Sequence, residues 1–346
     1  MIIKTTNCNL IFNDSLLEEI DDYKDKVKEN KIGSNLKNIL HNNNLKTIDL
    51  LYSILQTKEP QIYAESQVKG NGEDWNLQEL KILGSICAAF NVQVFDDGRH
   101  SNPKKYNSPL KMTYIFVPGA LFRNGFNKKY APERDLLYRK EIDENKYNIY
   151  YLNKLDPVFK YINKVTKEEN KKAFVSIPGI GCGQFAGEFK GLLGEKFKNA
   201  LINTLKINGS AYSHIDTLHY DPYNECTNEE HLISEVKLNV RPYCLGEGSP
   251  QLSIENTTHI NNFEKKYKFF SLVAWDHVSW PGNDFYSLNR ITDDGVKAAA
   301  SNLMSIITNI NGNYISSRYV PIDPYINWND CINKNNILQF WGSPII

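Results

Sequence analysis

Residues 173–187 read Ala-Phe-Val-Ser-Ile-Pro-Gly-Ile-Gly-Cys-Gly-Gln-Phe-Ala-Gly, a nearly unbroken apolar run that turns into a glycine loop. The run has the pattern of a central strand buried on both faces. The spacing predicts a strand over 173–177 and a helix over about 188–205. Strand, glycine loop, helix is the order that cradles a phosphate. Glycines let the backbone approach closely, N–H groups point at the anion, and a helix N-terminus adds partial positive charge. No Gly-Lys-Ser/Thr closes the loop, so it is not a Walker A sequence. Gly181-Cys-Gly183-Gln-Phe-Ala186 fits the loose GxGxxA dinucleotide pattern, but that fingerprint opens a βαβ unit at the start of a domain, and here it sits mid-chain after Pro178. A bare turn and a phosphate loop both stay open. Gly179, Gly181, Gly183 and Gly187 within one short loop favour the phosphate.

Outward from this loop, β-rich runs at 92–95, 112–117, 147–152, 235–240 and 269–274 alternate with helical patterns at about 155–164, 188–206 and 292–310. Such alternation implies an α/β fold with a mixed or largely parallel sheet flanked by helices. Ahead of it, Leu16, Leu17 and Ile20, then Leu36, Ile39 and Leu40, then Ile48, Leu51, Ile54 and Leu55 fall at helical spacing, with Asp14 or Ser15 as the N-cap. A further helix is expected over 76–90. The expected division is a helical N-terminal extension, 1–75, and an α/β domain, 76–346.

Bulk composition narrows the function classes. Forty basic and forty acidic side chains cancel, which argues against a dedicated nucleic-acid binder. No run of about 18 apolar residues is present, so no membrane span is expected. The opening MIIKTTNCNLIFNDSLLEEIDD lacks the apolar centre of a signal peptide. Cys8, Cys87, Cys182, Cys226, Cys244 and Cys331 form no CxxC pair, so neither a zinc ribbon nor a redox pair is expected; reduced thiols in a soluble, cytosolic protein are. The chain is expected to be a monomer.

The second constellation begins where the run Phe269-Phe-Ser-Leu-Val-Ala274 ends in Trp275-Asp276-His277-Val278-Ser279-Trp280-Pro281-Gly282-Asn283-Asp284-Phe285-Tyr286. Arg290-Ile-Thr-Asp293-Asp294-Gly295 and a helix follow, with Thr292 a natural N-cap and Asp293 a capping residue beside it. Asp276 would sit at a strand's C-terminal end, Asp284 in a loop and Asp294 at a helix start. Loops beyond strand C-termini form the ligand crevice of an α/β sheet, so parallel strands would open both constellations on one rim. Carboxylates there suit hydrolysis of a glycosidic bond, stabilising an oxocarbenium-like transition state and activating water. Trp275, Trp280, Phe285 and Tyr286 offer faces for stacking. The spacing of the three acids leaves Mg²⁺ open as well. His277 has the bland reading of a hydrogen-bonded histidine.

Ala-Trp-Asp276, Trp-Pro-Gly-Asn-Asp284-Phe and Thr-Asp-Asp294-Gly-Val-Lys-Ala-Ala-Ala resemble the MavL-like, Legionella-type effector family, divergent macrodomain-type ADP-ribosylhydrolases. The resemblance covers about 173–304. It implies a macrodomain-like mixed sheet, and an activity that removes ADP-ribose from an arginine of a modified protein, ubiquitin among the candidates. It assigns catalysis to Asp276, Asp284 and Asp294. It implies ADP-ribose contacts at Gly179, Ile180, Gly181, Cys182, Gly183, Gln184 and Phe185, with Trp280 and Asn283, and no cofactor or resident metal. Secretion into a host cytosol comes with it. The Asn-rich first loop that holds the distal ribose in ordinary macrodomains has no recognisable counterpart; Val117-Pro-Gly-Ala-Leu-Phe122 and Asp96-Asp97-Gly98 compete for its place. Two rivals stand beside the hydrolase: a macrodomain-like reader that binds ADP-ribose without cutting it, and a Rossmann-type oxidoreductase that would bind NAD.

Overall fold

The computed structural model describes residues 1–5, 8–41, 45–59, 69, 71–123, 131–241, 265–283, 290, 292–325 and 328. The N-terminal part carries β1 (Ile2–Lys4), β2 (Asn9–Ile11), α1 (Ser15–Lys28), α2 (Ser34–Ile39), α3 (Thr47–Gln56) and α4 (Leu77–Gly84). Then come β3 (Cys87–Asp96), β4 (Lys105–Pro118), the short pair β5 (Leu137–Tyr138) and β6 (Glu141–Ile142), α5 (Glu144–Glu168), β7 (Lys172–Pro178) and α6 (Leu193–Asn208). The chain continues through β8 (Ile215–Asp221), β9 (Glu229–Ile233), β10 (Val236–Val240), β11 (Tyr267–Trp275), α7 (Asp293–Ala299), α8 (Leu303–Thr308), β12 (Gly312–Ile315) and β13 (Arg318–Pro321).

Nine strands form one mixed sheet in the order β1-β2-β3-β4-β11-β7-β8-β10-β9. Its middle, from β4 to β10, is parallel, and the strands outside that block pair antiparallel. The mixed α/β architecture expected from the alternation is therefore present. Side chains of β11 alternate between two cores, as a period of two requires. Phe269, Val273 and Trp275 join the helices of the N-terminal part and α7 and α8, while Phe270 and Leu272 join α5 and α6. The first 75 residues contribute more than helices: β2 pairs with β3 inside the main sheet, and Leu16, Ile20, Leu51 and Ile54 share a core with Val273 and Trp275.

Several expected elements differ. The run at 147–152 is not a strand but part of α5, capped by Asp143, whose carboxylate accepts from Lys146 N at 3.1 Å. Tyr147, Tyr151, Leu155, Val158 and Ile162 recur at helical spacing and are all buried. Strand preference spans only about 1 kcal/mol, whereas each such side chain gains roughly 1.5–3 kcal/mol on burial, so burial decides. The helix expected over 76–90 stops at Gly84, and β3 starts at Cys87. The helix expected over 292–310 is broken because residues between α7 and α8 bond to β3 instead: Phe95 N donates to Ala300 O at 2.8 Å and Asn302 N to Gln93 O at 3.1 Å. Strands β1, β2, β5, β6, β8, β9, β12 and β13 are additional to the sequence reading.

Candidate functional site

Because β4, β11, β7 and β8 are adjacent and parallel, the loops leaving their C-terminal ends share one rim. There they enclose a cleft of about 250 Å³. Gly179, Gly181, Gly183, Gln184 and Phe185 line it from the loop after β7, and Trp275, Asp276, Asn283, Asp293 and Asp294 from the end of β11 and the segment after it, with Tyr223 from the loop after β8. The sequence expectation that both constellations open together is realised by the register of β11 against β7, which aligns Ser271 with Ser176.

The glycine loop departs from its simplest form. It does not run into a long helix. A 3₁₀ segment, Gln184–Phe189, intervenes with a break at Gly187, and α6 starts only at Leu193. The start of α6 is already occupied: Gly194 N donates to the Glu225 carboxylate at 2.6 Å. The helix-dipole contribution expected for a phosphate is thus spent on Glu225. What the loop offers is its own backbone. The N–H groups of Gly181, Gly183, Gln184 and Phe185 donate to no backbone carbonyl among the described residues; backbone donors left open in this way are the kind that can serve an anion. Gly181 has φ +79°, and a Cβ there would lie 3.0 Å from Ala120 N and from the Tyr151 hydroxyl. The loop after β4 supports it: a Cβ on Gly119 would fall 2.5 Å from Gly181 Cα, and Phe122 N donates to Phe185 O at 2.9 Å. Val117-to-Phe122 therefore abuts the glycine loop, whereas in Asp96-Asp97-Gly98 the Asp96 carboxylate is engaged by Arg290 and Asp97 pairs with Arg99. Ile180 and Cys182 point away from the cleft into the core.

Asp276 is held firmly. Its Oδ1 accepts from Val278 N at 2.7 Å and Ser279 N at 2.6 Å, and its Oδ2 from the Ser279 hydroxyl. Asp294 lies in the first turn of α7, and its Oδ1 accepts from Gly282 N at 2.7 Å. Thr292, as expected, caps α7 through its hydroxyl, accepting from Gly295 N at 3.1 Å. Asp293 is accordingly not the cap. It lines the cleft, accepts from Ala274 N at 3.2 Å through Oδ2, and stands 4.0 Å from the buried Lys297 ammonium. Burial lowers the pKa of Lys297, with Asp293 opposing. Asp284, Phe285 and Tyr286 lie outside the described residues. Trp280 does not line the cleft; it is buried in the core, its indole N–H donating to Lys58 O at 3.1 Å. Among the described residues no three His, Cys, Asp or Glu side chains are grouped to hold a metal ion. Cys8, Cys87, Cys182 and Cys226 are free thiols; Cys244 and Cys331 lie outside the described residues.

The family model for the macrodomain effector MavL matches residues 8–325. The chain belongs to the MavL macrodomain effector family. An ADP-ribose-related macrodomain function and an effector role come with that membership. No curated protein matches the chain. In this macrodomain the glycine loop follows the seventh strand, not the opening β–α turn of a dinucleotide-binding unit, so the Rossmann reading falls. No helix among the described residues is long and apolar enough to cross a membrane.

The fold also brings in residues the sequence did not announce. Tyr223 enters the cleft from the loop after β8. The Asp221-Pro222-Tyr-Asn turn was the available signal, but β8 itself, Ile215-Asp-Thr-Leu-His-Tyr-Asp221, was hidden because Asp216, Thr217, His219 and Asp221 break up its apolar residues without a regular period. Behind Asp276, His277 is buried with Nε2 3.3 Å from Glu133 Oε1. Glu133 also accepts from Leu121 N at 2.9 Å and the Tyr150 hydroxyl at 3.3 Å. His277 is thus an internal brace joining the strand end that carries Asp276 to the loop that supports the glycines, in keeping with its bland reading.

Proposed function

We propose that this macrodomain hydrolyses ADP-ribose from an arginine of a modified protein, with ubiquitin the first candidate substrate. The observation that carries the proposal is one cleft that pairs an amide-rich loop with aspartates. The loop amides receive the pyrophosphate. Asp276, Asp294 and, from the same segment, Asp284 surround the distal ribose and the guanidinium. In the reaction water adds to C1″, the C1″–N bond breaks, and the proton lost by the water ends on the released guanidine, which leaves as guanidinium. Carboxylates near a cationic leaving group position it and stabilise the oxocarbenium-like transition state. Both Asp276 oxygens are engaged by Val278 and Ser279, so Asp276 acts as a fixed anion, and activation of water falls to Asp284 or Asp294. No metal is needed in this scheme, and added Mg²⁺ is a condition to vary.

Arginine-ADP-ribosylated ubiquitin incubated with wild type and Asp294→Ala tests the proposal. Release of ADP-ribose by wild type alone supports it. Equal, negligible release by both, with tight ADP-ribose binding by calorimetry, replaces it with the reader.

A further inference from the structure

The N-terminal segment reaches the back of the cleft through Lys58, just beyond α3. Lys58 is 1% exposed. Its ammonium donates to His277 O at 2.6 Å and lies 3.5 Å from Asp276 O and 3.8 Å from the centre of the Trp275 ring. The backbone around it is stitched to the same turn. Glu59 N donates to Val278 O at 2.8 Å, Trp280 N to Glu59 O at 2.9 Å, and the Trp280 indole to Lys58 O at 3.1 Å.

These contacts have a common logic. The turn after β11 aims the N–H groups of Val278 and Ser279 at the Asp276 carboxylate. The carbonyls of Asp276, His277 and Val278 must then face elsewhere, and a buried carbonyl left without a donor is destabilising. Lys58 and Glu59 supply the donors. The ring of Trp275 takes the other side of the ammonium, a cation–π contact that the buried site strengthens.

We propose that Lys58 is a positioning residue: from the N-terminal segment it grips the carbonyls of Asp276 and His277 and so fixes the Asp276 carboxylate in the cleft. The N-terminal helices then form part of the reactive site, not a separate module for target recognition. The inference rests on the hydrolase reading for its effect on turnover, and on geometry alone for its effect on the turn.

The test uses the full chain carrying Lys58→Met, which keeps the stem and removes the donor. Three quantities are read: amide exchange by mass spectrometry, ADP-ribose affinity by calorimetry, and turnover on arginine-ADP-ribosylated ubiquitin. The expected result is lost protection in the peptide spanning 275–280 with the peptide spanning 173–187 unchanged. Turnover should fall roughly ten- to a hundredfold at near-constant affinity, the scale expected for misplacement by about 1 Å. Wild-type exchange at 275–280 overturns the proposal. So does protection lost equally in all peptides, which is the signature of a merely structural lysine. Where Lys58→Met fails to fold, Trp280→Phe removes the indole donor that ties Lys58 O to the turn and leaves a smaller aromatic ring in its place; loss of protection confined to 275–280 again supports the proposal, and unchanged exchange overturns it. Absent wild-type turnover together with the expected exchange pattern removes the hydrolase reading and leaves the role of Lys58 in place.

Discussion

Arg290 grips Asp96 with both terminal nitrogens, Nη1 donating to Oδ2 at 2.8 Å and Nη2 to Oδ1 at 2.7 Å. Asp96 is fully buried at the end of β3, where the Tyr314 hydroxyl and Gly98 N also donate to it. The guanidinium adds bonds to the carbonyls of Arg99 and Ser317. This pair ties Arg290, which shortly precedes α7, to the end of β3. Planar, bidentate geometry of this kind is what arginine provides and lysine does not.

Removing one side of that clamp strands a buried charge. Arg290→Met should destabilise the fold by about 3–5 kcal/mol, the usual cost of leaving a buried ion partner unpaired. Urea denaturation gives the number. A midpoint unchanged from wild type would show that Asp96 is satisfied by Tyr314 and Gly98 alone.

Two glycines of the loop should respond differently to the same change. Gly181 has φ +79° with neighbours 3.0 Å from where an added methyl would sit, while a methyl on Gly183 meets nothing within 4 Å. Gly181→Ala should cost about 1–2 kcal/mol of backbone strain or more. Gly183→Ala should fold as wild type, but place its methyl in the space a pyrophosphate would take and weaken ADP-ribose binding. Thermal melts and calorimetry on the two variants separate the effects; equal melting temperatures would refute the assignment.

Asp276 and Asp294 are predicted to differ from the glycines in what they lose. Asp294→Asn should bind ADP-ribose within a fewfold of wild type and lose turnover by roughly a hundredfold or more, as expected for a group acting in the transition state. Asp276→Asn should lose turnover and stability together, because the amide cannot accept from Val278 N, Ser279 N and the Ser279 hydroxyl at once. Single-turnover assays on correctly folded fractions check both.

Stability should also depend on pH in a defined way. Burial pushes Lys58 down from its ordinary 10.5 to about 7 and Lys154 to about 8. Between those values and 10.5 the unfolded chain binds protons that the folded chain does not, so these groups make stability rise with pH through that window; at lower pH the cost of burying the charges is felt in full. Buried thiols act oppositely. Cys8 and Cys87 are pushed from 9.0 to about 12, so above pH 9 the unfolded chain loses protons the folded chain keeps, and stability falls. Urea midpoints measured from pH 6 upward should pass through a maximum near about pH 9. Lys58→Met should flatten the rising limb, and a wild-type rise in that variant would exclude Lys58 as its source.

Much of this was legible in the chain. The apolar run at 173–177 and the run at 269–274 stand out because a strand buried on both faces has no reason to alternate. The glycines after the first and the aspartates after the second marked the site for the same reason that ligands bind beyond strand ends. Local pattern misled where burial outweighed it, as at 147–152, and where a neighbouring strand competed for hydrogen bonds, as at 300–302.

The sequence by itself determined the α/β class, the two constellations and the cap at Thr292, since each follows from contacts among residues close in the chain. Only the tertiary structure decided that β7 and β11 are neighbours, that Asp293 and Tyr223 enter the cleft, that Glu225 occupies the start of α6, and that Lys58 lies behind Asp276. Those facts join residues as far apart as 58 and 276, and the hydrogen bonds and burial that fix them exist only once the sheet has formed.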